Sequence, residues 1–172
     1  MNNIYRNNKF WNLNKYLPII LLFTSVLNEI DFNNLGLRYF SFNFSYILIF
    51  YYSLKKTESL GYGLIFIAGL FNDVIVSLPL GISSLIYLLI CGFAAYLRNI
   101  TLRPNLIKDW IFFLITILVV NSISYTFLTL IFSYKIEYLN LLINSLFTFL
   151  LYIVFSYFIS FIEKLTLGNP NA

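Results

Sequence analysis

The chain reads as an all-α integral membrane protein of six transmembrane helices with both termini cytoplasmic, and three observations lead there. The 172 residues are 60% hydrophobic and only 10% charged, whereas a soluble domain is about 45–50% apolar and about 25% charged. Six apolar segments follow one another along the chain. At roughly 20 residues per span, they and their short loops use nearly the whole length and leave no room for a soluble domain. The third observation is the distribution of lysine and arginine, which falls almost wholly on alternate loops.

Taken in order, the first segment runs from about Leu17 to Val26 and frays into NEIDFNN. Pro18 suits its first helical turn, where a missing N–H costs nothing. The second runs from about Tyr39 to Leu54, the third from Leu60 to Val76 and the fourth from Leu80 to Leu97. The fifth runs from Asp109 to Phe132 and the sixth from Tyr138 to Ile162. Residues 1–16 and 164–172 are then short cytoplasmic tails around a membrane domain of residues 17–163. Arg6, Lys9, Lys15, Lys55, Lys56, Arg98, Arg103, Lys108 and Lys164 lie on one side of such a chain, and only Arg38 and Lys135 on the other. Basic residues collect on the cytoplasmic side. Nine against two therefore places both termini there, which requires an even number of spans.

The same composition excludes much chemistry. There is no histidine and a single cysteine, Cys91. Zinc sites draw on clusters of those residues, histidine-based nucleophilic catalysis needs the imidazole, and a lone cysteine cannot close an internal disulfide. Cys91 reads as a helix-packing residue. The polar, asparagine-rich start has no cleavage site after the first apolar run and predicts no secretory signal. The net charge of +4 is spread over separate loops, which suits anionic lipid headgroups and not nucleic acid. No cofactor is expected.

Helices in lipid gain little from burying apolar surface on one another, so close packing uses small residues. Span three offers Gly61, Ala68, Gly69 and Asn72, and span four offers Gly81, Ser84, Cys91, Gly92 and Ala95. The intervals Gly81–Gly92 and Ser84–Ala95 are close to three helical turns, and predict a stripe that another helix approaches closely. Spans five and six carry Thr116, Asn121, Ser122, Ser124 and Thr126, then Asn144, Ser145, Thr148 and Ser156. These read as interhelical hydrogen-bonding groups; a polar substrate pathway is the rival, but no intramembrane charge accompanies them. Tyr51, Tyr52, Trp110 and Tyr138 lie near span ends, as an interfacial aromatic belt requires.

The stretch GLFNDVIVSLPLG, residues 69–81, departs most from a plain span. Asp73 lies about one turn from the end of span three. The short link that follows lets its carboxylate reach the start of span four, whose unpaired N–H groups and positive dipole end favour an anion. Pro79 fits a helix start and Gly81 a close backbone approach. Asp73 is thus a structural or partner-docking acid. A catalytic carboxylate is the rival, with no second acid or histidine beside it.

At these residues the chain resembles the bacterial rod-shape-determining MreD family, whose pattern is close to G-L-x-x-D-x-x-x-G-x-P-L-G. Gly69, Leu70, Asp73, Pro79, Leu80 and Gly81 carry it, followed by Ala95, Tyr96, Leu97 and Arg98 and preceded by KKTESLGYG. Ser77 stands where many members have Gly, and SFNFSY lacks a proline often found there. The resemblance implies a non-enzymatic component of the cell-elongation machinery. Its implied partners are an MreC-like protein, an MreB-like actin homologue, RodA and a class B penicillin-binding transpeptidase. It also implies an architecture similar to the six-helix substrate-binding subunits of energy-coupling-factor transporters. That similarity supplies the alternative function, a vitamin-binding transporter subunit, although the Ala-x-x-x-Ala pattern of such subunits is absent here. The residues expected to hold the hairpin or a partner are Gly69, Asn72, Asp73, Pro79, Gly81, Ser84, Gly92 and Arg98.

Overall fold

The computed structural model describes residues 16–26, 42–55, 60–101, 105–133 and 138–167. Their regular structure is helical throughout. The helices are α1 (Tyr16–Val26), α2 (Phe44–Lys55), α3 (Tyr62–Val76), α4 (Ile82–Ile100), α5 (Leu106–Phe132) and α6 (Tyr138–Leu167). Each of the six overlaps one predicted segment, although α2 starts later, at Phe44, and α6 runs on to Leu167. The basic residues Arg6, Lys9, Lys15, Arg38, Lys56, Arg103 and Lys135 lie outside the described residues, as do all but the last residue of the expected N-terminal tail. At the other end α6 continues past residue 163, across the expected tail boundary.

Three helices, α4, α5 and α6, are long and apolar enough to cross a membrane; α1 and α3 are apolar but shorter. The two long C-terminal helices are built inside out relative to a soluble fold. Their exposed faces carry Ile111, Ile115, Leu118, Leu130, Leu142, Leu146, Leu150, Val154 and Phe158. Thr116, Asn121, Ser124, Ser145, Thr148 and Ser156 are buried. Contiguous apolar surface on this scale is not stable in water, and lipid is the solvent it matches.

The centre of the bundle is α2. Its twelve residues, FSYILIFYYSLK, have no polar face, and every residue from Ser45 to Leu54 is buried. A helix apolar all round suits enclosure by other helices or by lipid, and here other helices enclose it. Small hydroxyls fasten it to three neighbours. Ser45 Oγ lies 2.9 Å from Ser25 Oγ on α1, Ser53 donates to Cys91 Sγ on α4, and Tyr51 Oη lies 2.8 Å from Ser160 Oγ on α6. Just before the helix, the Asn43 N–H donates to Thr148 Oγ1 of α6 at 2.9 Å, which satisfies a backbone donor that the helix start leaves free. Phe50, Phe113 and Tyr152 then join α2, α5 and α6, with ring centroids 4.5–5.8 Å apart. Such pairs add about 0.5–1.5 kcal/mol beyond their buried area.

The position of α2 corrects the expected aromatic belt. Tyr51 and Tyr52 lie in the core, because they belong to the enclosed helix. Trp110 is half-buried, stacked on Phe149 at 4.4 Å and donating its indole N–H to the Phe149 carbonyl; Tyr138 is exposed. The hydroxyls of α5 and α6 also divide. Asn121 does bond across to Ser145, but Thr116 and Thr126 donate to the carbonyls of Phe112 and Ser122 in their own helix. Threonine within a helix has that local acceptor always in reach.

Candidate functional site

The third helix buries one stripe, Ile65, Ala68, Gly69, Asn72 and Asp73, at the i, i+3, i+4, i+7, i+8 spacing of one helical face. It stops at Val76 because Ser77 turns left-handed (φ 57°, ψ 37°) and the N–H groups of Ser77 and Leu78 both close on the Asp73 carbonyl. Four residues later the chain re-enters a helix. Gly81 (φ 102°) is the N-cap of α4, a backbone conformation that a side chain would strain.

As a glycine, Gly81 has no side chain with which to cap α4. Asp73 supplies the cap from the neighbouring helix. Its Oδ2 accepts the Gly81 N–H at 2.6 Å and its Oδ1 accepts the Ser83 N–H at 2.8 Å, and the residue is fully buried. Both bonds are charge-assisted and short, and the carboxylate sits at the positive end of the α4 dipole. With both oxygens held and no exposed surface, it is a structural acceptor. The bonds expected of Asp73 are the ones observed.

Three more contacts tie the hairpin together. Asn72 Nδ2 donates to Ser83 Oγ at 3.0 Å, and Ser84 Oγ donates to the Phe66 carbonyl at 2.9 Å. Opposite Ser84 lies Gly69. A Cβ there would fall 2.5 Å from the Ser84 backbone nitrogen and 2.8 Å from its Oγ, so the two backbones meet where no side chain fits. Gly69, Asn72, Asp73, Gly81 and Ser84 are thus brought into one unit.

Two of the remaining expectations, for Pro79 and for the glycine stripe, need correcting. Pro79 precedes the N-cap and lies in the turn, its carbonyl accepting the Ile82 N–H at 3.3 Å; it does not occupy the first helical turn. Gly81 and Gly92 are not a packing stripe. A Cβ at either meets nothing within 4 Å, and Gly92 is exposed. The face of α4 that packs runs through Ser83, Ser84, Tyr87, Ile90, Cys91, Ala94 and Leu97. Arg98 is exposed and takes no part in the lock. Ser83 was missed by sequence reasoning, though its place at the second position of α4 marks it as a residue whose N–H lacks an intrahelical partner.

A second polar cluster was also missed. At the end of the bundle where α2 and α6 finish and α5 begins, Lys55 sets its Nζ 4.3 Å over the Tyr51 ring. The carboxylates of Asp109 on α5 and Glu163 on α6 act on its charge from the neighbouring helices. Three helices contribute one charge each, so no local pattern in the chain reveals the group. No protein-family model, curated protein or solved structure matches this chain.

Proposed function

We propose that this chain is a non-enzymatic, multi-pass component of the bacterial cytoplasmic membrane. In this reading it docks an MreC-like protein and the peptidoglycan-synthesis partners of the cell-elongation complex, as MreD-like proteins do. What supports the reading is the behaviour of the motif that carries the resemblance. Gly69, Asp73 and Gly81 each perform a task that suits their residue type: a contact with no room for a Cβ, a carboxylate cap and a left-handed N-cap. The motif therefore describes a rigid hairpin. Just beyond it α4 leaves Tyr96 and Arg98 exposed for a partner.

The proposal includes six spans with both termini cytoplasmic. Reporter fusions after Lys55, Arg103 and Ala172 then score cytoplasmic, and fusions near Asn33 and Tyr134 score external. An external C-terminus overturns the topology. Depletion in a rod-shaped host is expected to give rounded or swollen cells, and affinity capture is expected to recover an MreC-like protein. Normal shape together with lost uptake of one vitamin overturns this function in favour of a transporter subunit.

A further inference from the structure

Beyond the Asn121–Ser145 bond, α5 and α6 flank an open cleft of about 470 Å³, within the range of about 300–1,000 Å³ typical of ligand sites. We propose that this cleft binds a neutral amphiphile, a molecule with a hydroxyl-bearing head and an apolar tail that enters from the bilayer. The inference stands apart from the elongation-complex reading and needs none of its partners.

Asn121 forms the floor. It is 8% exposed, and its Nδ2 donates to Ser145 Oγ at 2.9 Å. No described residue hydrogen-bonds its Oδ1, and the residue lines the cleft. Since Ser145 Oγ can donate or accept, turning the amide over would leave the NH₂ unpaired instead. In either orientation the end of the amide that faces the cleft has no partner among the described residues, and an occupant bearing a hydroxyl would supply one.

The walls indicate which partner is missing. Thr126 and Thr129 line the cleft, but their hydroxyl hydrogens are engaged with the Ser122 and Tyr125 carbonyls at 2.8 and 2.7 Å. What they present to an occupant is acceptor oxygen. With the free end of the Asn121 amide and the hydroxyls of Ser122, Tyr125 and Tyr138, the cleft offers donors as well as acceptors and fits a hydroxyl head, which does both. None of the lining residues carries a charge. A phosphate head would find no cation among them to offset its charge, so the head is neutral.

Depth gives the route. At 1.5 Å per residue, Asn121 is about 22 Å from the start of α5 and about 16 Å from its end, a position within the hydrocarbon layer if α5 spans it. The lining residues Leu118, Leu130 and Leu142 are exposed and offer the apolar surface a tail would follow.

The test uses the full chain in phosphatidylcholine nanodiscs and a diacylglycerol carrying a photoreactive acyl chain. Saturable labelling is expected to concentrate on peptides covering 118–130 and 138–145. Unlabelled diacylglycerol should compete, and phosphatidylglycerol with the same chains should not. Asn121→Leu is expected to cut labelling about tenfold, the effect of one lost hydrogen bond. Ser122→Phe, at an exposed lining position, should fill the cleft with the buried pair intact and cut labelling equally. Labelling spread evenly over the exposed faces, or unchanged by both variants, overturns the proposal. So does equal competition by phosphatidylglycerol, or a crosslink showing a helix of another protein seated in the cleft.

Discussion

Replacing Asp73 by leucine removes the acceptor of both the Gly81 and the Ser83 N–H groups. The N-cap residue itself cannot replace it, because Gly81 has no side chain. A buried donor left unpaired costs about 1–3 kcal/mol, so two cost about 2–6 kcal/mol. Leucine also inserts into lipid more readily than an ionised carboxylate, by about 3 kcal/mol at mid-membrane on insertion scales and less near a helix end. Insertion and abundance are therefore expected to hold while the hairpin loosens. Hydrogen exchange of a peptide covering residues 78–86, measured on the purified protein, reads the opening directly. With tenfold per 1.4 kcal/mol, exchange should rise by about 30-fold or more in Asp73→Leu. Asp73→Asn keeps one acceptor oxygen and loses one bond, so it should lie between wild type and leucine. Exchange in the leucine variant within about threefold of wild type, below the effect of a single hydrogen bond, would refute the cap.

Two further predictions separate the glycines by what surrounds them. Gly69→Ala drives a Cβ into the Ser84 backbone and is expected to lower thermal stability by about 1–3 kcal/mol, as overpacking does. Gly92→Ala meets open space and should be neutral or stabilising by about 0.5–1 kcal/mol; equal effects of the two changes would contradict the packing. At the turn, Ser77→Gly relieves a left-handed serine (φ 57°) and should raise stability by roughly 1 kcal/mol. Gly81→Ala imposes that conformation on a side chain (φ 102°) and should lower stability by a similar amount. Thermal unfolding in detergent checks all four, and a destabilised Ser77→Gly would mean that the turn is held by something other than its backbone geometry.

The lock around Asp73 was legible in the chain because its parts are close along it. Only a four-residue turn separates α3 from the N-cap of α4. A carboxylate one turn before that link therefore had few places to go other than the nearest free N–H groups. Gly69 was legible as a small residue, yet its specific partner, Ser84, was not. The stripe drawn through Gly81 and Gly92 followed spacing alone and chose the wrong face of α4. The cluster of Lys55, Asp109 and Glu163 gave no signal, since it gathers residues from separate helices, and the polar residues Asn121, Ser122, Thr126 and Ser145 were read as hydrogen-bonding groups and not as the lining of one cleft.

By itself the sequence determined that the chain is helical, where its helices run and that its outer surface suits lipid. Those properties follow from composition and from local breaks such as Ser77 and Pro79. The tertiary structure alone decided that α2 lies at the centre, that Tyr51 and Tyr52 are core residues and that Gly92 faces outward. The physical reason is the solvent. In water an apolar face identifies the interior, but lipid is as apolar as the core. Hydropathy then marks a helix without marking its buried side, and that side is chosen by which small and polar groups find partners across helices.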